Sequence, residues 1–325
     1  MDTIKKNILG RTGFSVSEMG LGAWAVGSKG YGPVEKKQGV ETIEMYMEAG
    51  GNHIDTAPVY GGSEALIGDV IGNGALREKV FIGTKTKMGD CAETVSKIRG
   101  ACEESLSLLK TDYIDIYYLH TPPEDIDTIS RALDEFEKLK EEGKIRAIGA
   151  SIKAAAVTAN TVGLCHTYID TGRLDVLQVA YSILRQANAE IFEKAKENSV
   201  GVVTRTSIES GFLSGKYRPG HVFPSDHRMR WSKETLAKIF SLADELSKWV
   251  IRPPYQSLAE VAIRFSLAPE EVSSLLVGAR TTEQLQRNLK TLLLPPLDPD
   301  IIERLQQEFS GRTEEFNPDS QGWTH

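Results

Sequence analysis

Residues 113–151 read YIDIYYLHTPPEDIDTISRALDEFEKLKEEGKIRAIGAS. An apolar run of strand length (113–120) leads into a Pro-marked turn, then a stretch of helical period (128–144), then a second apolar run (145–151). The runs are almost continuously apolar, as in strands buried on both faces, and the helix between them brings the chain back to start a parallel neighbour by a right-handed crossover. The unit recurs. Comparable runs stand at 17–24, 51–57, 79–85, 174–182, 201–207 and 273–279, with helix-period stretches such as 94–110 among them. Eight strand–helix units in one chain predict an α/β fold of the closed (β/α)8 TIM-barrel type. Ahead of the first, ILGRTGFSVS (8–17) predicts a β-hairpin capping the barrel's bottom.

No linker, repeat or low-complexity tract divides the 325 residues, so a single domain over 1–325 is expected. A net charge of −7 argues against general nucleic-acid binding. Three cysteines without CxxC spacing (Cys91, Cys102, Cys165) exclude a disulfide framework and a Cys-rich zinc site, and fit a reducing compartment. No signal peptide and no apolar run of membrane-spanning length stands in the chain. A cytoplasmic protein without a membrane partner is the expectation. No His spacing reads as a metal site.

GLGAWA (20–25) matches the form of a dinucleotide fingerprint, but that motif requires a helix to open at once, and VGSKGYGPVEKK follows instead. A Rossmann reading therefore fails. The stretch 211–231, GFLSGKYRPGHVFPSDHRMRW, has no period and is long for a loop, which marks it as functional or disordered.

Three consecutive strands end in an ionisable residue: Asp55, Lys85 and His120, with Tyr60 just past the first. Taken singly, Asp55 reads as a strand-end cap, Lys85 as a solvated lysine and His120 as a structural imidazole. Together they fall on one side of a barrel mouth, the face where barrel active sites lie. The chemistry is coherent. Tyrosine ordinarily ionises near 10, and a neighbouring ammonium stabilises its phenolate. Asp55 holds that lysine charged, and His120 orients a carbonyl whose oxygen exchanges a proton with Tyr60.

At this point the sequence resembles the aldo-keto reductase family, whose Asp-Tyr-Lys-His tetrad falls on Asp55, Tyr60, Lys85 and His120. The wording matches along most of the chain: LGRTGFSVSEMGLGAW, IDTAPVYGGSEALIG, GTKTK, YIDIYYLHTP, GKIRAIGAS, LQVAYS, ESGFLSGKY and LLVGARTTEQLQRNL. The resemblance implies an extended nicotinamide cofactor across the mouth and reduction of aldehyde or ketone carbonyls to alcohols, with Tyr60 as proton donor. It also admits a sugar or alcohol dehydrogenase working oxidatively, or a slow-turnover cofactor-sensing regulatory subunit.

By the same resemblance Gly22, Ala23, Trp24 and Asp55 border the cofactor. Ser151 and Gln178 hold its carboxamide, and Arg205 lies under the ring. Thr206 and Ser207, with Leu213, Gly215 and Lys216 of the loop, take the pyrophosphate. Gly278, Arg280, Thr281, Gln284 and Asn288 form the adenosine end, Arg280 meeting a 2′-phosphate, so NADP(H) is expected over NAD(H). TTEQ (281–284) predicts a capping box at that helix start. Trp24, Tyr60 and His120 border the substrate. Two positions depart from the pattern: Ile152 stands where the family has a clamping Asn, and Arg205 where many members stack an aromatic ring. His53 is expected to be core, Trp231 and Trp323 receive no role, and the polar tail is expected either to fold over the rim or to be disordered.

Overall fold

The computed structural model describes residues 4–27, 29–72, 74–86, 91–153, 156–223 and 226–319, with 91–96 described in backbone only. Trp323, the end of the tail and part of the 211–231 loop therefore lie outside the described residues. Strands β1 (Lys6–Ile8) and β2 (Ser15–Ser17) pair antiparallel, with Lys6 opposite Ser17. There follow β3 (Met19–Gly22), α1 (Lys36–Glu48), β4 (His53–Asp55), α2 (Ser63–Val70), β5 (Phe81–Lys85), α3 (Cys91–Leu109), β6 (Ile114–His120) and α4 (Ile126–Glu141). The second half holds β7 (Ile145–Ser151), α5 (Ala159–Asp170), β8 (Val176–Ala180), α6 (Phe192–Glu197), β9 (Gly201–Arg205), α7 (Lys233–Val250), α8 (Leu258–Ser266), β10 (Val272–Val277), α9 (Thr282–Thr291) and α10 (Pro299–Phe309). β3 to β10 form a parallel barrel in chain order, closed by β10 on β3. All eight expected barrel strands are present.

The hairpin plugs the end opposite the mouth. Leu9, Phe14 and Val16 pack with the interior residues Ile116, Ala147, Val176, Val203 and Leu276. Arg11 donates to the carbonyls of Gly172 (3.0 Å) and Asn198 (2.5 Å), just ahead of β8 and β9. Most strands are shorter than the expected runs, and at one boundary the cause is explicit. The run 17–24 splits at Glu18, whose N–H donates to Lys5 O in the hairpin while its C=O accepts from Leu275 N in the barrel. A residue shared between two sheets cannot continue a single strand.

Alternation in β5, β6 and β7 sends Gly83, Lys85, Tyr118, His120, Gly149 and Ser151 inward. The glycines are there for Tyr118. A Cβ on Gly149 would lie 2.3 Å from its ring and one on Gly83 3.0 Å away. Outward residues meet the helices; Tyr117 stacks on Phe136 of α4 at 5.1 Å between centroids. α4 begins at Asp125, whose carboxylate accepts from Thr128 N (2.8 Å), and its apolar face of Ile129, Leu133, Phe136 and Leu139 is buried.

The 211–231 stretch is anchored by aromatic side chains. Phe212 meets the rings of Phe223, Trp231 and Phe240 at 5.9, 5.2 and 5.7 Å, and the Arg228 guanidinium sits 4.0 Å over Phe223. Trp231 thereby gains a role: it is buried, and its Nε1 donates to Phe316 O (2.9 Å), tying the loop to the chain's final described turn. The tail as far as Asp319 is likewise held, with Asn317 bridging Val157 and Arg185.

Candidate active site

Five barrel strands end on polar side chains at the mouth: Asp55, Lys85, His120, Ser151 and Arg205, with Gln178 two residues before the end of β8. Parallel pairing sets Gly22 beside Asp55, His120 beside Ser151, and Ser151 beside Gln178. Lys85 is fully enclosed. Its ammonium has three donors, and three acceptors take them: Asp55 Oδ1 and Oδ2 at 2.7 Å each, and Thr56 O at 2.8 Å. With those donors committed, Lys85 reaches Tyr60 through its field, Nζ lying 5.0 Å from the ring centroid.

Tyr60 closes a short 3₁₀ turn (Pro58–Tyr60) ended by Gly61 and Gly62, both with left-handed φ. Gly27 lies so close to this turn that a Cβ there would overlap Tyr60 O at 1.6 Å. Any side chain at 27 would push the tyrosine out of place. The Tyr60 ring has Trp24 at 5.0 Å and His120 at 6.3 Å, both edge-on. Burial, with Lys85 and Arg205 nearby, pushes His120 well below the usual histidine range, so its imidazole is neutral. Its Nδ1 is enclosed without a partner.

Gln178 is buried between Ser151, whose hydroxyl donates to Oε1 (2.9 Å), and Asp55 Oδ1, which accepts from Nε2 (2.7 Å). Arg205 donates through Nη2 to Ile152 O (2.6 Å) and to Ser151 Oγ (3.3 Å), and its enclosed Nε has no partner. The Ile152 side chain is buried in the main apolar core. After β9 the backbone turns left-handed at Thr206 (φ 69°), Glu209 (47°), Ser210 (55°) and Gly211 (90°). Ser207 and Leu213 are buried there; Gly215 is left-handed at φ 71°, and Lys216 is exposed.

Gly278 admits no side chain, because a Cβ would lie 2.9 Å from Ala25 Cβ. Thr281 caps α9, accepting from Gln284 N (3.2 Å). The expected reciprocal contact is displaced by one residue: Gln284 Oε1 accepts from Arg280 N (2.9 Å), ahead of the cap. Arg280 donates to Pro33 O (3.0 Å) on the opposite loop, and Asn288 to Gly278 O (3.4 Å).

Two rim features had no signal in the sequence. His227 is buried, with Nδ1 3.0 Å from Gly30 O and Nε2 3.1 Å from Ser210 Oγ, and its ring stands edge-on to Trp24 at 5.7 Å. Arg185 and Glu209 form an enclosed ion pair (2.9 Å) beneath the loop after β9. Among the described residues no group of three or more metal-ligating side chains exists, and no helix is long and apolar enough to cross a membrane.

A closed parallel barrel with an acid–base cluster on consecutive strand ends has the form of a barrel enzyme's active site. The model of the Aldo/keto reductase family matches residues 18–308, and the chain belongs to that family. It is 31% identical to the NADH-specific methylglyoxal reductase of Escherichia coli (strain K12), over 91% of this chain and 96% of that one. It is 29% identical to aldo-keto reductase YhdN of Bacillus subtilis (strain 168), over 85% of each. Among solved structures, the holo form of aldo-keto reductase AKR11C1 from Bacillus halodurans superposes with a TM-score of 0.74 at 26% identity, covering 94% of this chain and 96% of that one.

Proposed function

We propose that the protein reduces aldehyde or ketone carbonyls with NADPH, Tyr60 giving the proton to the carbonyl oxygen. The observation that carries this reading is the enclosed Lys85: an ammonium saturated by Asp55 and Thr56 O, its charge fixed 5.0 Å from the Tyr60 ring. A fixed positive charge stabilises the phenolate left once the proton has gone, without any reorganisation at that moment. Neutral His120 donates a hydrogen bond to the same oxygen and orients the carbonyl, with Trp24 as the apolar wall beside it.

The mouth suits a nicotinamide. Ser151 and Gln178 stand side by side on paired strands as a bonded hydroxyl and amide, the donor and acceptor types that complement a primary carboxamide. Arg205 adds its unpartnered Nε. When bound, the reduced nicotinamide supplies the reducing equivalent to the carbonyl carbon. Thr206, Ser207 and the 211–216 loop would take the pyrophosphate end, with Lys216 as the exposed cation there.

The preference for NADPH rests on Arg280 beside the start of α9, where a guanidinium and a helix N-terminus both favour a phosphate. The NADH-specific name of the Escherichia coli relative makes NADH the necessary comparison. The test is oxidation of NADPH and NADH by purified protein against dicarbonyls, aromatic aldehydes and sugar aldehydes, with Tyr60→Phe alongside. Turnover that disappears in Tyr60→Phe while cofactor binding persists is expected. Equal turnover in that variant would remove Tyr60 as donor, and equal kcat/KM with both cofactors would remove the NADPH preference.

A further inference from the structure

Tyr60 sits on an excursion that leaves the barrel at Thr56 and ends at Ser63 and Glu64, the first residues of α2. Both feet of this excursion stand on β5. At the first, Thr56 N donates to Gly83 O (2.8 Å) and Thr56 O accepts from Lys85 Nζ (2.8 Å). At the second, Thr84 Oγ1 donates to Glu64 Oε1 (2.7 Å). The hydroxyls of Thr56 and Ser63 meet at 2.6 Å and join the two feet. Thr56, Ser63, Glu64 and Thr84 are all enclosed.

Thr84 immediately precedes Lys85, so its side chain points to the outer face of the wall while the lysine points in. Glu64 follows Tyr60 by four residues, across Gly61 and Gly62, which bring no side chain to brace the turn. Its carboxyl links the tyrosine's turn to the lysine's strand. An apolar side chain would fill this space at lower cost, because a buried carboxyl gives up its water. What the carboxyl adds is a directional bond, which holds one arrangement where packing alone admits several.

We infer that Glu64 is a positioning residue: bonded to Thr84, it fixes the Tyr60 turn against the strand that carries Lys85 and so sets where the tyrosine hydroxyl stands in proton transfer. This rests on the reading of Tyr60 as proton donor. Glu64 and Thr84 lie behind the barrel wall and act through Tyr60. Burial pushes the Glu64 carboxyl up, opposed by the hydroxyls of Thr84 and Ser105. A carboxyl oxygen accepts from Thr84 in either protonation state, so the tie needs an acceptor and not a charge.

The experiment compares wild type, Thr84→Val, Glu64→Leu, Glu64→Gln, the double variant Glu64→Leu/Thr84→Val, and Tyr60→Phe. Fluorescence titration with NADPH gives the affinity and the fraction of competent sites without turnover. Carbonyl reduction in H2O and D2O gives kcat per competent site and its solvent isotope effect. Thr84→Val removes the donor at nearly constant shape, Glu64→Leu removes the acceptor, and Glu64→Gln keeps an acceptor oxygen.

In Thr84→Val and Glu64→Leu, kcat per competent site is expected to fall about 10- to 100-fold, the cost of a displaced reacting group. The solvent isotope effect is expected to rise, because proton transfer then limits the rate, while NADPH affinity stays unchanged. The double variant is expected to fall no further than the slower single one, and Glu64→Gln to regain most of the wild-type rate. An unmoved kcat and isotope effect in whichever single variant folds overturns the inference. So does a loss that the missing NADPH sites account for, or a Glu64→Gln variant as slow as Glu64→Leu. Full turnover in Tyr60→Phe removes the donor reading and this inference with it, whereas its loss beside an unmoved Thr84→Val removes the inference alone.

Discussion

The His53→Asn substitution isolates one buried proton site inside the barrel. His53 Nδ1 lies 2.8 Å from Ser274 Oγ, whose own proton is committed to Ser17 O at 2.8 Å. Ser274 therefore accepts, His53 carries its proton on Nδ1, and the enclosed Nε2 is a bare lone pair without a partner. Protonation would bury an N–H⁺ with nothing to accept from it, and with Lys85 nearby. Burial chiefly, opposed in part by Asp55, pushes the group down to about 4. Between that value and the ordinary 6.5 the unfolded chain holds a proton that the folded chain does not, so stability falls as pH falls. The loss accumulates to about 2.5 kcal/mol between roughly pH 7.5 and pH 4.5, at about 1.4 kcal/mol per pH unit. Asparagine retains a donor toward Ser274 and cannot titrate. Urea unfolding of both proteins at the two pH values gives the difference in their pH sensitivity, which is independent of any neutral-pH cost of the substitution. A wild type and variant that lose stability in parallel would refute the buried neutral tautomer.

Three further outcomes follow from the same structure. Lys85→Met leaves Asp55 enclosed with only Gln178 as partner, so unfolding free energy is expected to drop by about 3–5 kcal/mol, the cost of breaking a buried pair; a drop under about 1 kcal/mol by chemical denaturation would show that Asp55 is hydrated or protonated. Arg280→Ala is expected to weaken NADPH binding about 10- to 100-fold, the worth of a charge-assisted contact, while NADH binding changes little; titrations with both cofactors decide it. Gly149→Ala places a Cβ 2.3 Å from the Tyr118 ring, and a loss of about 1–3 kcal/mol from overpacking is expected, read as a lowered thermal midpoint.

The barrel was legible because its signal is local. Each strand is a short apolar run, and each helix between them announces itself by period. The strand-end positions of Asp55, Lys85 and His120 were legible for a related reason: an apolar run that ends in an ionisable group stands out against its own background. The rim was not legible. His227 bonds the carbonyl of Gly30, 197 residues away, and Arg185 bonds Asn317, 132 residues away. Neither pairing leaves a periodic trace. The 211–231 stretch shows no period for the same reason, since Phe212, Phe223 and Trp231 are spaced by the partners they meet and not by a regular backbone. The enclosure of Lys85 was also hidden, because a lysine at a strand end usually runs to solvent; which of its donors are spent depends on Thr56 O, a backbone group that sequence does not display.

Ile152 and Arg205 show how two apparent departures combine. Read along the chain they are separate anomalies, an apolar side chain where an amide is usual and a cation where a ring is usual. In the barrel they are one arrangement. Residue 152 follows the last residue of β7, and its side chain turns outward into the apolar core, so isoleucine is what that side of the backbone requires. What the residue offers the mouth is its carbonyl, and Arg205 caps that carbonyl from β9 at 2.6 Å. An aromatic ring at 205 has no donor for it, and the carbonyl would be left to find another partner. The arginine is thus tied to the backbone geometry at 152, and Arg205→Phe removes two contacts at once: the donor to the Ile152 carbonyl and the donor to Ser151 Oγ. Arg205→Lys is the milder change, because it keeps the charge and a donor while losing the planar fork that reaches both acceptors.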